Sequence, residues 1–393
     1  MEKPKIRFLK NKHSWVRNTF EEIAKRRTKS SDNPDLPRVE YQDIISGEGR
    51  LNKDLNKNID CRKGIMFETN DILYGKLRPY LKNWLHPNFN GIALGDFWVL
   101  QARNCDSKFL FSLVQSPKFQ RVANDTSGTK MPRSDWKTVS QTEFSIPTSN
   151  DEQSAIGSLF HTLDDLLTSN KDNLANYQSL KTTMLTKIFP KAGQTIPEIR
   201  LEGFKGDWEK YYLGDIFEQV SNYIEPSVEN ELWSLTVEKG LTPKTDRYKR
   251  DFLVKKNDKF KKVDINEFVY NPMNLTLGAL DLNNKGRTIS VSGYYVVMKN
   301  TDVEKFDNDF FKILLKTTYA IYQYKQFATG TLIEKQRVQF PTFSEIPFYL
   351  PTIAEQRAIG AYFSILDNLI ATHQEKISQL ETLKKKLLQD MFI

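Results

Sequence analysis

One 38-residue pattern occurs twice in this chain, and it limits the possible folds more than any other feature. Residues 152–189 (EQSAIGSLFHTLDDLLTSNKDNLANYQSLKTTMLTKIF) align without a gap to residues 355–392 (EQRAIGAYFSILDNLIATHQEKISQLETLKKKLLQDMF), with 13 of 38 positions identical at an offset of 203. That period is far longer than a solenoid unit. It implies two similar modules in one polypeptide, related by a pseudo-two-fold. In each copy apolar residues recur at spacings alternating between four and three, the seam of a coiled-coil helix. The first seam is Ile156, Phe160, Leu163, Leu167, Leu174, Tyr177, Met184 and Ile188; the second is Ile359, Phe363, Leu366, Ile370, Ile377, Leu380, Leu387 and Met391. Both are interrupted by a polar residue at the same place, Asn170 and His373, and again by Lys181 and Lys384. A polar seam residue commonly fixes register.

Both helices are predicted to start alike. Ser149 with Glu152, and Thr352 with Glu355, have capping-box spacing, and Pro147 and Pro351 end whatever precedes them. A helix of about 38 residues is roughly 57 Å long. Its seam would be wet if it stood alone, so each helix needs a partner, and the nearest is the other copy.

The duplication continues upstream. Pro4, Ile6, Arg7 and Trp15 recur at an offset of 193 as Pro197, Ile199, Arg200 and Trp208, and Ile23 recurs as Ile216. NDILYGKLRPY (70–80) corresponds to NEFVYNPMNLT (266–276), GDFWVL (95–100) to GYYVVM (293–298), and Gly128-Thr129 to Gly330-Thr331. The segments 27–67 and 220–262 share nothing comparable. Each half therefore reads as a globular α/β module of short strands with a divergent interior, followed by a long helix. The expected boundaries are 1–147, 148–190, 191–347 and 348–393.

A hydrophobic content of 39% with 12% aromatic residues suffices for real cores. No apolar run is long enough to span a bilayer, and the N-terminus lacks a signal-peptide core. Two cysteines, Cys61 and Cys105, and four scattered histidines build neither a disulfide framework nor an obvious metal site. The expectation is a reducing, cytoplasmic protein without structural metal. The net charge of +8 is unevenly spread: residues 1–150 hold 26 basic and 17 acidic residues, and 191–346 hold 23 and 22. Within the second module, 244–262 concentrates nine basic residues against three acidic. Basic clusters on modules joined by near-neutral helices suit contact with phosphates.

The pattern resembles the specificity (S) subunit of type I restriction–modification systems along the whole chain. Its carriers are the Ile-Arg-x(7)-Trp openings at Ile6 and Ile199, the segments beginning at Asp71 and Glu267, the Gly-Thr pairs at 128 and 330, and the Glu-Gln-x-Ala-Ile-Gly helix starts. The resemblance implies an α/β (α+β) fold with two target recognition domains, each reading one half of a bipartite double-stranded DNA site. The two long helices would pack as an antiparallel coiled coil that sets the gap between the half-sites. It also implies two methyltransferase (M) subunits docked on the helices and their flanks, and restriction (R) subunits in a nuclease form. The complex would direct adenine methylation and ATP-dependent cleavage in a bacterial cytoplasm. S-adenosylmethionine, ATP and Mg would then belong to the partner subunits, with no cofactor in this chain. Two other readings stay open from the residues alone: a coiled-coil scaffold without a DNA role, and a stand-alone DNA-binding regulator.

Motifs for catalysis within the chain are poor. Asn271-Pro272-Met273-Asn274 lacks the second proline and the aromatic of an amino-methyltransferase motif, and reads as a turn after a strand. Asp106-Ser107-Lys108 is a short fragment of a nuclease pattern. No Walker-type loop occurs. The chain is therefore expected to be a non-catalytic reader.

Base readout needs Arg, Lys, Asn or Gln on loops, with phosphate contacts to fix register. In module one the candidates are Tyr74, Lys76, Arg78 and Tyr80, then Gly128, Thr129, Lys130 and Arg133, with Arg26 and Arg27 for phosphates. In module two they are Asn274, Thr276, Lys285, Arg287, Gly330, Thr331 and Arg337, with Lys244, Arg247, Lys249 and Arg250 for phosphates.

Overall fold

A computed structural model describes residues 4–8, 14–52, 55, 62–125, 130–191, 193–244, 260–330 and 336–392. The chain divides into two compact units, Met1–Leu174 with Thr372–Ile393, and Ala175–Ala371. The division runs through both long helices, Asn150–Lys187 and Ile353–Met391. Each unit thus holds one module, the first turns of the helix that follows it and the last turns of the other helix. Fold class agrees with the sequence reading: mixed helix and sheet, with nearly every strand pair antiparallel.

In the first unit a four-stranded sheet runs in the order Ala24–Arg26, Phe97–Ala102, Ile72–Gly75, Trp84–Leu85. Successive strand side chains point to opposite faces, and here both faces are covered. Ile72, Tyr74, Trp98 and Leu100 enter a core shared with the helices Ser107–Gln115 and Pro117–Ala123 and with Ile156 and Phe160 of the long helix. Leu73, Phe97 and Val99 enter a smaller core with Val39, Ile44 and Phe67 from the divergent segment. The second unit repeats the plan. Its sheet order is Phe217–Val220, Val296–Asn300, Phe268–Tyr270, Leu280–Leu282. Phe268, Tyr270 and Met298 face the helices, while Val269 and Val297 face Trp233, Leu235 and Val291. The divergent segments therefore build a second core on a shared framework sheet. The Asp71 and Glu267 motifs enter their strands identically. Asn70 and Asn266 have φ of 66° and 67°, and each carboxylate accepts an N–H three residues upstream at 2.7 Å, from Glu68 and Asp264.

The Glu-Gln-x-Ala-Ile-Gly repeat is a clamp that ties each long helix to its module. Strand Trp15–Thr19 pairs with Glu143–Pro147, and Glu209–Tyr212 with Pro347–Leu350, which brings each Ile-Arg opening to its helix start. The Ser149 and Thr352 hydroxyls accept from the N–H of Glu152 and Glu355 at 3.4 and 3.5 Å, half of the expected capping boxes. The glutamate side chains are engaged elsewhere. Glu152 accepts from Arg7 Nε and Nη2 at 2.9 and 2.7 Å and from Trp15 Nε1 at 3.2 Å. Glu355 accepts from Arg200 Nε at 2.9 Å and from its Nη2. Trp208 Nε1, the counterpart of the Trp15 donor, is buried without a hydrogen-bond partner. Gln153 and Gln356 close the backbone. Each donates to the proline carbonyl before the helix (Pro147, Pro351) at 2.8 and 2.9 Å, and accepts the N–H of Asp106 or Asp307 at 2.8 and 2.9 Å. Asp106 and Asp307 in turn cap the helices that follow them, so the Asp106-Ser107-Lys108 fragment is a helix start.

The glycine of the repeat allows this close approach. A Cβ at Gly157 would lie 2.5 Å from Phe109 N and 2.7 Å from the Lys108 carbonyl carbon, whereas at Gly360 the nearest atom is Asp307 Oδ1 at 3.0 Å. Backbone cannot yield as a side chain can. Alanine gains about 1 kcal/mol in helix propensity at either site. Gly157→Ala is expected to lose about 1–3 kcal/mol to overpacking and to be net destabilising. Gly360→Ala should fall within about 1 kcal/mol of neutral. Urea unfolding of the two variants measures the difference.

Both seams are the buried stripes of their helices. Ile156, Phe160, Leu163, Leu167, Ile359, Phe363 and Leu366 are buried. Asn170, Leu174, Tyr177, Ile370, His373, Ile377 and Leu380, farther from the module cores, are half-buried. Within each unit the helix segments run antiparallel. In the first, Phe160 meets Phe392 with ring centres 5.8 Å apart, Asp164 meets Lys384 at 2.5 Å, and Asn170 meets His373 at 2.8 Å. In the second, Lys181 meets Asp367 at 2.5 Å and Phe189 stacks on Phe363. The seam lysines are thus resolved. Each reaches a carboxylate of the opposing helix, and Asp164 and Asp367 are equivalent positions of the repeat. Asn170 and His373, also equivalent, meet each other.

Candidate nucleic-acid interface

Two loops chosen separately in module one are joined by backbone. Arg78 N donates to the Pro132 carbonyl at 2.7 Å and Ser134 N to the Lys76 carbonyl at 2.8 Å, with Leu77 bridged to Arg133. Tyr41 and Asp96 hold the joint. The Tyr41 hydroxyl donates to the Asp96 carbonyl at 2.5 Å and accepts Leu77 N–H at 3.1 Å. Burial pushes that hydroxyl up to about 12, so it stays protonated as a donor. The Asp96 carboxylate lies 2.9 Å from Arg133 and 3.5 Å from Lys76. Arg78 sits in the left-handed region at φ 49°, exposed, followed by the short 3₁₀ turn Pro79–Leu81 and by Lys82 at φ 56°. Tyr80 and Met131 are more than half exposed, and Lys130 is exposed. Five cations (Lys76, Arg78, Lys82, Lys130 and Arg133) therefore stand on the joined loops beside an exposed aromatic, two of them, Lys76 and Arg133, paired with Asp96. Such a surface attracts phosphates and can place an arginine against a base edge.

Other candidates of module one lie differently. Tyr74 is 1% exposed and stacks on Trp98 in the core; burial raises its hydroxyl well above the usual range. It is an internal residue because even positions of strand Ile72–Gly75 face the helices. Arg27 is occupied, 2.7 Å from Glu68 and 2.6 Å from Asp71, with its side chain 20% exposed. Arg26 is exposed, its guanidinium 5.1 Å above the Trp136 ring. Gly128 and Thr129 lie outside the described residues.

Module two keeps one of the two backbone hydrogen bonds of this joint. Val338 N donates to the Pro272 carbonyl at 3.0 Å, and Thr329 and Arg337 exchange backbone hydrogen bonds at 3.0 and 2.9 Å. Asn274 and Arg337 are exposed, and Gly330 takes φ 122°. Thr276 is 8% exposed inside the turn Leu275–Leu277 and is not presented to solvent. The Asn271-Pro272-Met273-Asn274 segment is a turn, its Asn271 side chain accepting Met273 N–H at 3.1 Å. Lys285 and Arg287 stand on a separate loop built around buried Asn283, whose Nδ2 donates to three carbonyls at 2.9–3.1 Å. Both cations lie about 6 Å from the Trp233 ring centre, and Arg287 also pairs with Glu231 at 2.6 Å. Lys244 is exposed at the end of strand Gly240–Pro243; Arg247, Lys249, Arg250 and Thr331 lie outside the described residues. Sequence reading missed Tyr41, Asp96, Lys82 and Trp233. Tyr41 and Trp233 fall in the divergent segments, where the repeat offers no counterpart.

Comparison with known proteins agrees with this plan. The family model for the type I restriction modification DNA specificity domain matches residues 205–382. The type I restriction enzyme MjaVIII specificity subunit of Methanocaldococcus jannaschii is 23% identical over 317 residues, covering 76% of this chain and 72% of the relative. The crystal structure of the S subunit from M. genitalium superposes with a TM-score of 0.64 at 16% identity, covering 100% of this chain and 99% of that one, so the fold is shared throughout. Among the described residues, no helix is long and apolar enough to cross a membrane. With its duplicated helix starts, paired loops and shared fold, the chain is similar to the specificity subunits of type I restriction–modification systems, and residues 205–382 match the DNA specificity domain of that family.

Proposed function

We propose that each unit reads one half of a bipartite DNA site with its joined loop pair, and that the two helices set the gap between the halves. Methyltransferase subunits dock on the helical pair and its flanks, and restriction subunits join them in a nuclease form. S-adenosylmethionine, ATP and Mg are held by those partners, and the complex works in the cytoplasm. The observation that carries this reading is the joint itself. Two segments more than 50 residues apart in sequence converge, in both units, into one exposed loop surface.

Arg78→Ala tests it. In a gel shift of the chain with its methyltransferase subunits, this change is expected to cost about 1–3 kcal/mol at the half-site read by module one and to relax specificity there only. Lys82→Ala, as a phosphate contact, should weaken binding evenly across sequences and lower the salt slope by about one. Unchanged binding by Arg78→Ala at cognate DNA would remove this loop from the interface. Absence of sequence-specific binding even with the methyltransferase subunits would sink the whole reading.

A further inference from the structure

The hairpin of strands Ile44–Ile45 and Arg50–Leu51 touches two surfaces of the first unit. On one side it grips the turn behind Arg78: Gly47 N donates to the Lys82 carbonyl at 3.0 Å, and the Ser46 hydroxyl donates to the Leu81 carbonyl. On the other side it reaches the first long helix directly and the second through Lys171. Arg50 lies 2.7 Å from Asp172, and Glu48 lies 3.1 Å from Lys171, which itself pairs with Glu381 at 2.8 Å. Glu48 and Arg50 also pair with each other at 2.7 Å. The contacts to Lys171 and Asp172 fall next to Asn170, near the middle of the first helix and far along it from the Glu152 clamp. A cavity of about 410 Å³ lined by Gly47, Trp84, Gln115, Leu167 and Leu388 lies behind the hairpin, so polar contacts bridge an open space there. Burial alone would raise the Glu48 carboxyl, but hydrogen bonds from Arg50 and Lys171 outweigh it and hold it below the usual carboxylate range.

Among the described residues the arrangement has no twin. The repeat places Gln374 where Lys171 stands and Gln178 where Glu381 stands. In the second unit the turn before Gly240 is anchored inside the module, where Leu241 N donates to Asp281 at 2.8 Å and Asp281 pairs with Lys316 at 3.0 Å. Among the described residues, no ion pair joins that turn to either helix.

We infer that the 46–50 hairpin is a positioning strut that locks the reading loop of module one to the helical pair and so fixes the gap at which its half-site is accepted. This inference rests on the bipartite reading above. Single exposed ion pairs contribute little; here five charges share one anchor, and coupling between two sites typically spans about 5–150-fold.

The test uses the chain with its methyltransferase subunits and duplexes carrying the two half-sites at the native gap or one base pair longer or shorter. Arg50→Glu, which sets a carboxylate against Asp172, is expected to reduce the preference for the native gap at least about fivefold. Adding Asp172→Lys should restore it. Hydrogen exchange at the amides of 76–82 in the free chain should quicken in Arg50→Glu, with 268–278 unchanged. A strut-broken variant that keeps both the gap preference and the exchange rates overturns the proposal. A wild-type complex indifferent to the gap, with the exchange result intact, would instead strike the bipartite reading beneath it.

Discussion

Arg7→Ala is expected to cost the first unit about 3 kcal/mol or more, although Arg7 touches no proposed DNA surface. The cause is what it leaves behind. The Glu152 side chain is fully buried, while that of Arg7 is 20% exposed. Removing the arginine leaves a carboxylate out of water with a single indole donor at 3.2 Å and the help of the helix N-terminus. The reverse deletion is milder, because Arg7, already 20% exposed, can turn its guanidinium further to solvent. Combining Arg7→Ala with Glu152→Gln should regain more than half of the loss, since the amide needs no counterion and still accepts from Trp15. Arg200→Ala should be at least as costly. Glu355 is 1% exposed, and Trp208 supplies it no hydrogen bond. Urea unfolding of the single and double variants measures these differences; a single variant within about 0.5 kcal/mol of wild type would contradict the clamp.

Much of this was legible because it is duplicated. The seam, the polar interruptions and the Glu-Gln-x-Ala-Ile-Gly starts were read from spacing, since helix periodicity and identity at a fixed offset are independent signals of one element. What spacing concealed was the use of each residue. Glu152 looked like a capping-box acid because the box is local, but its partner Arg7 lies 145 residues away. Tyr74 looked like a loop aromatic because Gly75 follows it, yet the strand continues through Gly75 and its pairing turns Tyr74 inward. Tyr41 and Trp233 were invisible for a different reason. They belong to the divergent segments, whose contacts form only when those segments fold against the shared sheet.

On the proposed reading, helix length sets the gap between the half-sites. Insertion of one heptad into both helices, beside Asn170 and beside His373, preserves the seam and adds about 10.5 Å, close to three base pairs. Three base pairs also rotate a half-site about 100° around the duplex, away from the module that reads it. The expected result is loss of bipartite recognition. Three heptads add about 31.5 Å, near one turn of DNA, and return the module to its face. Recognition should then reappear with the same half-sites and a gap longer by roughly nine base pairs. The direct measurement is the methylome of a host carrying the native or the lengthened chain with its methyltransferase subunits. The native chain should mark two half-sites at one fixed gap, the single-heptad chain none, and the three-heptad chain the same halves farther apart. A continuous site, or an unchanged gap in a lengthened chain, would contradict the account.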